Sequence, residues 1–180
     1  MAMRSDLSPD THPTIAEALA GDSCLLASSV FDPISARFAK DMGCTIGLLG
    51  GSIVAQVVLG APDIVLLTAD ELVQQTRRIC RTGCVDLIVD ADHGYGNALN
   101  VRRTVQELQA AGAGAVCLED SLLPRAFGSD DKQQLVSIEE GCKKLMAALD
   151  ARSSGPMRIL ARTNAIASHG VDEVIKRISA

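Results

Sequence analysis

Aromatic side chains are nearly absent. They make up 2% of the 180 residues, with three phenylalanines, one tyrosine and no tryptophan. A core must therefore be built from Val, Ile, Leu, Ala and Cys, and there is no array of flat rings on which nucleic-acid bases could stack. Positive charge is not concentrated anywhere. With 17 Lys and Arg against 22 Asp and Glu, the net charge is −5, the opposite of a nucleic-acid-binding surface. No apolar run approaches the ~18 residues of a membrane span, and the first ten residues contain no apolar signal core. The six cysteines, at 24, 44, 80, 84, 117 and 142, form no C-x-x-C and none stands at a zinc spacing from a histidine. They read as reduced, buried thiols. Together these absences lead us to expect a soluble cytoplasmic protein with neither nucleic acid nor membrane as a partner.

What is present is an alternation of short apolar runs with amphipathic stretches. The runs at 25–31, 45–51, 85–92, 115–120 and 157–163 read as strands. Helices are expected over 14–21, from Asp32 to Gly43, from Thr68 to Arg81, over 101–112, over 139–151, and from Asp172 onward. Strands that are apolar on both faces and separated by helices indicate a parallel sheet of βα units. No G-x-G-x-x-G follows the first strand, which removes the sequence support for a dinucleotide-binding sheet. Polar residues instead gather at the predicted C-terminal strand ends: Asp32, Gly50-Gly51-Ser52, Asp90 and Asp92, Glu119, and Arg162. In a (β/α)₈ barrel those ends converge on one mouth, where barrel enzymes do their chemistry. The expected architecture is thus α/β of the (β/α)₈ type, with about five βα units and residues 1–180 forming one incomplete barrel domain. A chain of this length is expected to be a fragment, or a natural truncation whose sheet edge is covered by something else.

The stretch V-D-A-D-H-G-Y-G-N (89–97) concentrates the chemistry. On a strand, Asp90 and Asp92 point the same way, and two ionised carboxylates that close require a shared proton or a cation. Oxygen ligands suit Mg²⁺, with Mn²⁺ as the alternative. Glu119 and Asp63 extend the acidic set. The same D-x-D also suits a helix cap beside a solvated strand end. Arg162 has the planar fork for holding a substrate carboxylate, or for a surface ion pair. Gly50, Gly51 and Ser52 offer unobstructed backbone N–H groups, or simply a tight turn. His93 is a candidate acid or base, or a loop-shaping residue, and Tyr95 lines or underlies the same pocket. His12 and His169 have no convergent partner and read as surface residues. Taken together, these elements describe a site for a small anionic α-keto acid.

The strings S-V-F-D-P-I-S-A-R, G-G-S…G-A-P-D, D-A-D-H-G-Y-G-N-A-L-N-V, C-L-E-D-S-L-L-P and A-R-T-N-A resemble the isocitrate lyase/phosphoenolpyruvate mutase superfamily from about residue 24 to 180. The resemblance implies a Mg²⁺-dependent barrel that makes or breaks C–C or P–C bonds beside an α-keto acid, and a homo-oligomer where the full barrel is present. It implies that Asp90 binds the metal directly and that Asp63, Asp92 and Glu119 act largely through metal-bound water. Gly50, Gly51, Ser52 and Arg162 would hold substrate; Arg162 and, from the reading of its residue type above, His93 are the catalytic candidates. Lyases of that superfamily carry K-[KR]-C-G-H shortly after the E-D pair. Here the corresponding stretch, L-L-P-R-A-F-G-S-D-D-K-Q, has neither cysteine nor histidine. His93 and L-L-P-x-x-F-G look most like the oxaloacetate decarboxylase branch, which implies conversion of oxaloacetate to pyruvate and CO₂ through a metal-stabilised enolate. The alternatives are another carboxylic-acid lyase, a phosphonopyruvate or phosphoenolpyruvate mutase-type activity, and an inactive fragment.

Overall fold

The computed structural model describes residues 14–22, 24–128, 134–152 and 155–180. His12 lies outside them. Five strands, β1 (Ala27–Ser29), β2 (Ile46–Leu49), β3 (Asp86–Asp90), β4 (Ala115–Glu119) and β5 (Arg158–Arg162), pair in parallel in the order in which the chain makes them. The helices are α1 (Ile15–Ala20), α2 (Pro33–Asp41), α3 (Gly51–Val54), α4 (Ala69–Cys80), α5 (Ala98–Ala111), α6 (Ile138–Ala151) and α7 (Ala165–Ile178).

Local chemistry explains most of the helix starts. Thr14 with Glu17, Asp32 with Ser35, Thr68 with Glu71 and Asn97 with Asn100 each form reciprocal capping boxes. Such boxes satisfy two backbone donors that a helix N-terminus otherwise leaves open. Asp32, expected among the polar strand ends, is used in this way: its Oδ1 accepts from the Ser35 N–H at 2.7 Å.

The strand alternation separates two cores. Leu49, Leu87, Val89, Val116 and Leu118 face one side and pack with residues of α2, α4, α5 and α6. Ile46 and Ala115 face the other side and meet Ile15 of α1, with Ala18, Ile88 and Leu160 packed around them. Asp86 fixes that plug, its Oδ2 accepting from the Ile15 N–H at 2.7 Å. A doubly wound sheet reverses its strand order and carries helices on both faces. Sequential order with the helix layer on one face is barrel geometry, and the chain supplies five βα units of it.

Several expectations are corrected. The first strand is only Ala27–Ser29, leaving Leu25 and Leu26 exposed. The expected strand over 45–51 stops at Leu49, and residues 51–59 turn helical, α3 running straight into a π-helical turn (Ala55–Leu59). The helix α5 begins at Ala98, under the Asn97 cap, rather than at 101. The final helix begins at Ala165, not Asp172, and kinks at Gly170, whose φ is +78°. Cys24 is exposed and only Cys84 is fully buried, although all six thiols are free. No helix among the described residues is long and apolar enough to cross a membrane.

Gly47 sits in β2 against the helix-side core. A Cβ there would lie 2.8 Å from Val85 Cγ2 and 2.9 Å from Val30 Cγ2, both on stiff β-branched side chains. Gly47→Ala is expected to destabilise the chain by about 1–3 kcal/mol, the usual range for overpacking, read as a lower urea midpoint at unchanged slope.

Candidate active site at the strand tips

Asp90, Glu119 and Arg162 are the last residues of β3, β4 and β5. Their positions share the alternation of Ile88, Ala115 and Leu160, so they face the barrel interior. Arg162 lies between the two acids. Its Nη1 donates to Asp90 Oδ2 at 3.0 Å and its Nη2 donates to Glu119 Oε2. Glu119 is almost fully buried, and Asn164 Nδ2, just beyond β5, donates to the same Oε2 at 2.8 Å and to Ser121 Oγ at 3.0 Å.

Asp92 reaches the cluster by a different route from the one its spacing predicts. The strand ends at Asp90, and Asp92 stands in a turn with φ +46°. The two aspartates therefore do not share a strand face. The turn is held by the Asp92 N–H donating to Asp90 Oδ1 at 3.2 Å and by the Glu119 N–H donating to the Asp92 carbonyl at 2.8 Å. The Asp92 carboxylate then comes to rest against Gly51, where a Cβ would meet both its oxygens at 3.1 Å. This close approach is what the glycine permits. Burial, and after it the charges of Asp90, Asp63 and Glu119, push the Asp92 carboxyl up to about 7. Asp90 is also raised, chiefly by burial, with Arg162 opposing the shift.

A cleft of about 530 Å³ opens over these groups. Asp63, Asp92, Glu119 and Arg162 line it, and so do Leu123, Arg125 and Asn164. Asp90, Gly50, Gly51, Ser52 and His93 do not; Asp90 meets the cleft through its ion pair with Arg162. Gly50 caps α3, Gly51 is buried against Asp92, and Ser52 is exposed. His93 is 5% exposed, its ring 5.8 Å from that of Tyr95, and its Nδ1 has no hydrogen-bond partner. Burial first, and then the nearby Lys144, hold its pKa below the usual histidine value. Its surroundings thus favour a neutral ring behind the mouth. Tyr95 is half-buried, with φ +64°. His169 is exposed, as expected.

The loop after β4 has a fixed base. The Val136 N–H donates to the Asp120 carbonyl at 2.9 Å, and the Leu122 N–H to the Gln134 carbonyl at 2.8 Å. The Asp120 carboxylate accepts from Thr163 Oγ1 at 2.5 Å, the Asn164 N–H at 3.0 Å and Arg177 Nη1 at 3.1 Å, and Arg177 Nη1 also reaches the Val136 carbonyl at 2.9 Å. Leu123 and Arg125 extend from this base over the cleft. Sequence reading missed Arg125, Asn164 and the Asp120–Arg177 clamp. The only signals for them were A-R-T-N directly after a strand and an arginine in an otherwise neutral L-L-P-R-A-F-G stretch.

Among the described residues, no three acid, thiol or imidazole groups converge closely enough to enclose a metal ion. The donor set is nevertheless all oxygen, and the acidic charge around Asp92 outweighs the opposing charge of Arg162. Those features fit Mg²⁺, which is held by one or two carboxylates and keeps several of its waters.

This is a barrel-type α/β protein with a carboxylate–arginine site at the C-terminal mouth of its strands. The chain belongs to the phosphoenolpyruvate phosphomutase family, whose model matches residues 16–180. It is 51% identical over 162 residues to an oxaloacetate decarboxylase of Rhodopseudomonas palustris (strain BisA53), covering 90% of this chain and 56% of that protein. It therefore spans a little over half the length of that relative. Among solved structures, oxaloacetate acetylhydrolase in complex with the inhibitor 3,3-difluorooxalacetate superimposes with a TM-score of 0.85 at 27% identity, covering 93% of this chain and 58% of that one. Phosphonopyruvate hydrolase in complex with oxalate and Mg²⁺ superimposes with a TM-score of 0.80 at 30% identity, covering 91% and 56%.

The raised Asp92 carboxyl has a consequence for stability. The folded chain keeps this proton up to about pH 7, whereas the unfolded chain releases it near an ordinary aspartate value. Stability from this group is complete below about pH 4 and is lost as pH rises towards 7. In EDTA, Tm is expected to fall across that window, and Asp92→Asn is expected to flatten the fall. Thermal melts of both proteins from pH 4 to 8 check it.

Proposed function

We propose that this chain carries the metal-binding and keto-acid-binding part of a Mg²⁺-dependent oxaloacetate decarboxylase. We place it in the cytoplasm, as residues 1–180 of one incomplete barrel domain whose complete form assembles as a homo-oligomer. The observation that carries the reaction is the cleft itself: Asp63, Asp92 and Glu119 share it with Arg162, Leu123 and Arg125, and the sequence of residues 121–134 contains no thiol and no imidazole. The relative named oxaloacetate decarboxylase and the neighbours holding oxalate and difluorooxalacetate support a small α-keto acid as the ligand.

Decarboxylation asks little of a protein beyond orientation and charge stabilisation. The C3–C4 bond of oxaloacetate breaks, CO₂ leaves, and the electron pair moves into the C2–C3 bond, placing negative charge on the keto oxygen. C3 then takes a proton from water to give pyruvate. Asp90, Asp92, Asp63 and Glu119 would hold Mg²⁺, which would supply Lewis-acid stabilisation of that negative charge. Arg162 contributes positive charge beside Asp90 and Glu119, and its fork can also hold the carboxylate at C1. Asn164 keeps Glu119 in place. The thiol that superfamily lyases use to move a proton has no counterpart in the loop, and this reaction does not require one.

Pyruvate release from oxaloacetate, after subtraction of the metal-only rate, is expected to require Mg²⁺, to stop in EDTA and to fall at least ~100-fold in Asp90→Asn. Metal-independent release, or a clear preference for phosphonopyruvate or methylisocitrate in the same assay, would overturn the reading.

A further inference from the structure

The cleft holds two arginines among its described lining residues, and they stand in different situations. Arg162 is anchored from below by Asp90 and Glu119, at the strand tips. Arg125 enters from above, on the loop whose base is pinned at Asp120–Val136 and Leu122–Gln134. Leu123, an apolar residue, lines the same cleft. The volume of about 530 Å³ is larger than a two-carbon oxalate skeleton fills, and it accommodates a four-carbon dicarboxylate with metal-bound water.

We infer that Arg125 is the specificity-determining residue that receives the second carboxylate, C4, of a dicarboxylic α-keto acid whose first carboxylate and keto oxygen sit at the strand tips. The inference rests on the proposed decarboxylase reading and adds to it an asymmetry with a kinetic signature. C4 is the carboxylate that leaves. Its negative charge disappears as CO₂ forms, so a guanidinium beside it stabilises the bound substrate more than the transition state. Binding energy of that kind lowers KM without raising kcat. Arg125 selects the substrate at some cost in turnover, and Leu123 keeps the departing CO₂ in partly apolar surroundings.

The test uses the Mg²⁺-loaded protein with Arg125→Gln and Arg125→Lys, and two probes: oxalate, which lacks the second arm, and 3,3-difluorooxaloacetate, which carries it. By calorimetry, Arg125→Gln is expected to weaken difluorooxaloacetate about 10- to 100-fold, the range for a lost charge-assisted pair. Oxalate should bind as it does to the unaltered protein. Arg125→Lys should recover part of the loss. With oxaloacetate, Arg125→Gln should raise KM while kcat holds or rises. Equal weakening of both probes would mean that Arg125 only supports the loop, and would overturn the inference. A fall in kcat at constant KM would overturn it too. If the probe selectivity appears but oxaloacetate is not turned over, the decarboxylase reading fails while Arg125 as the dicarboxylate reader survives. If turnover is normal and the selectivity is absent, the reverse holds.

Discussion

The site is organised by an electrostatic constraint: several carboxylates at adjoining strand tips need a positive charge among them. Parallel pairing in sequential order forces Asp90 and Glu119 to the same end and the same face of the sheet. Like charges at such spacing raise one another's proton affinity unless a cation intervenes. Arg162, one strand further along, supplies that cation and bridges β3 to β5 across β4. The bridge is part structure and part chemistry. It ties three strands together where the barrel mouth begins, and it leaves Asp92 as the carboxylate whose negative charge is least compensated. A divalent cation suits that position for the same reason that a proton does in its absence.

The remaining architecture serves this placement. Helices cover one face of the sheet and leave the other to a short plug, α1, so the interior-facing positions at the strand tips are free of packing duties. The plug is secured far from the chemistry, by Asp86 at the opposite end of β3 from Asp90. The same strand thus carries an acid at each end. One is satisfied by backbone N–H groups of Ile15 and Leu87, and the other stands in the reactive cluster. Environment, not residue type, separates their roles.

Much of this was legible in the sequence because it rests on local rules. Thr14, Asp32 and Thr68 announce their helices, and the apolar runs ending in Asp90, Glu119 and Arg162 announce the strand tips. What was not legible depends on backbone that leaves a regular pattern. Alternation, the only guide a sequence offers, puts Asp92 on a strand face; its left-handed turn is set by contacts with Glu119 of β4 and Gly51 of α3. The helical run after Gly50 carries a mixed apolar pattern that does not separate a π-helical turn from a loop. His93 was a candidate for proton transfer on residue type alone, and the fold buries it behind the mouth. Arg125 and Asn164 entered the site through tertiary placement, with no spacing of their own to mark them.

The clamp at Asp120, Val136 and Arg177 has a consequence for how such a protein can change. It closes the loop at its root, tying the last described helix to the exit of β4. The stretch between residues 122 and 134 is thereby closed at both ends by backbone hydrogen bonds. Substitutions, insertions or deletions at the tip can alter what the mouth admits while the strands and their charge cluster remain undisturbed. A scaffold with that property can acquire a new substrate by redrafting about a dozen residues, with little penalty to the fold beneath them. The position of a root clamp, more than the identity of the loop it closes, then sets how far specificity can drift.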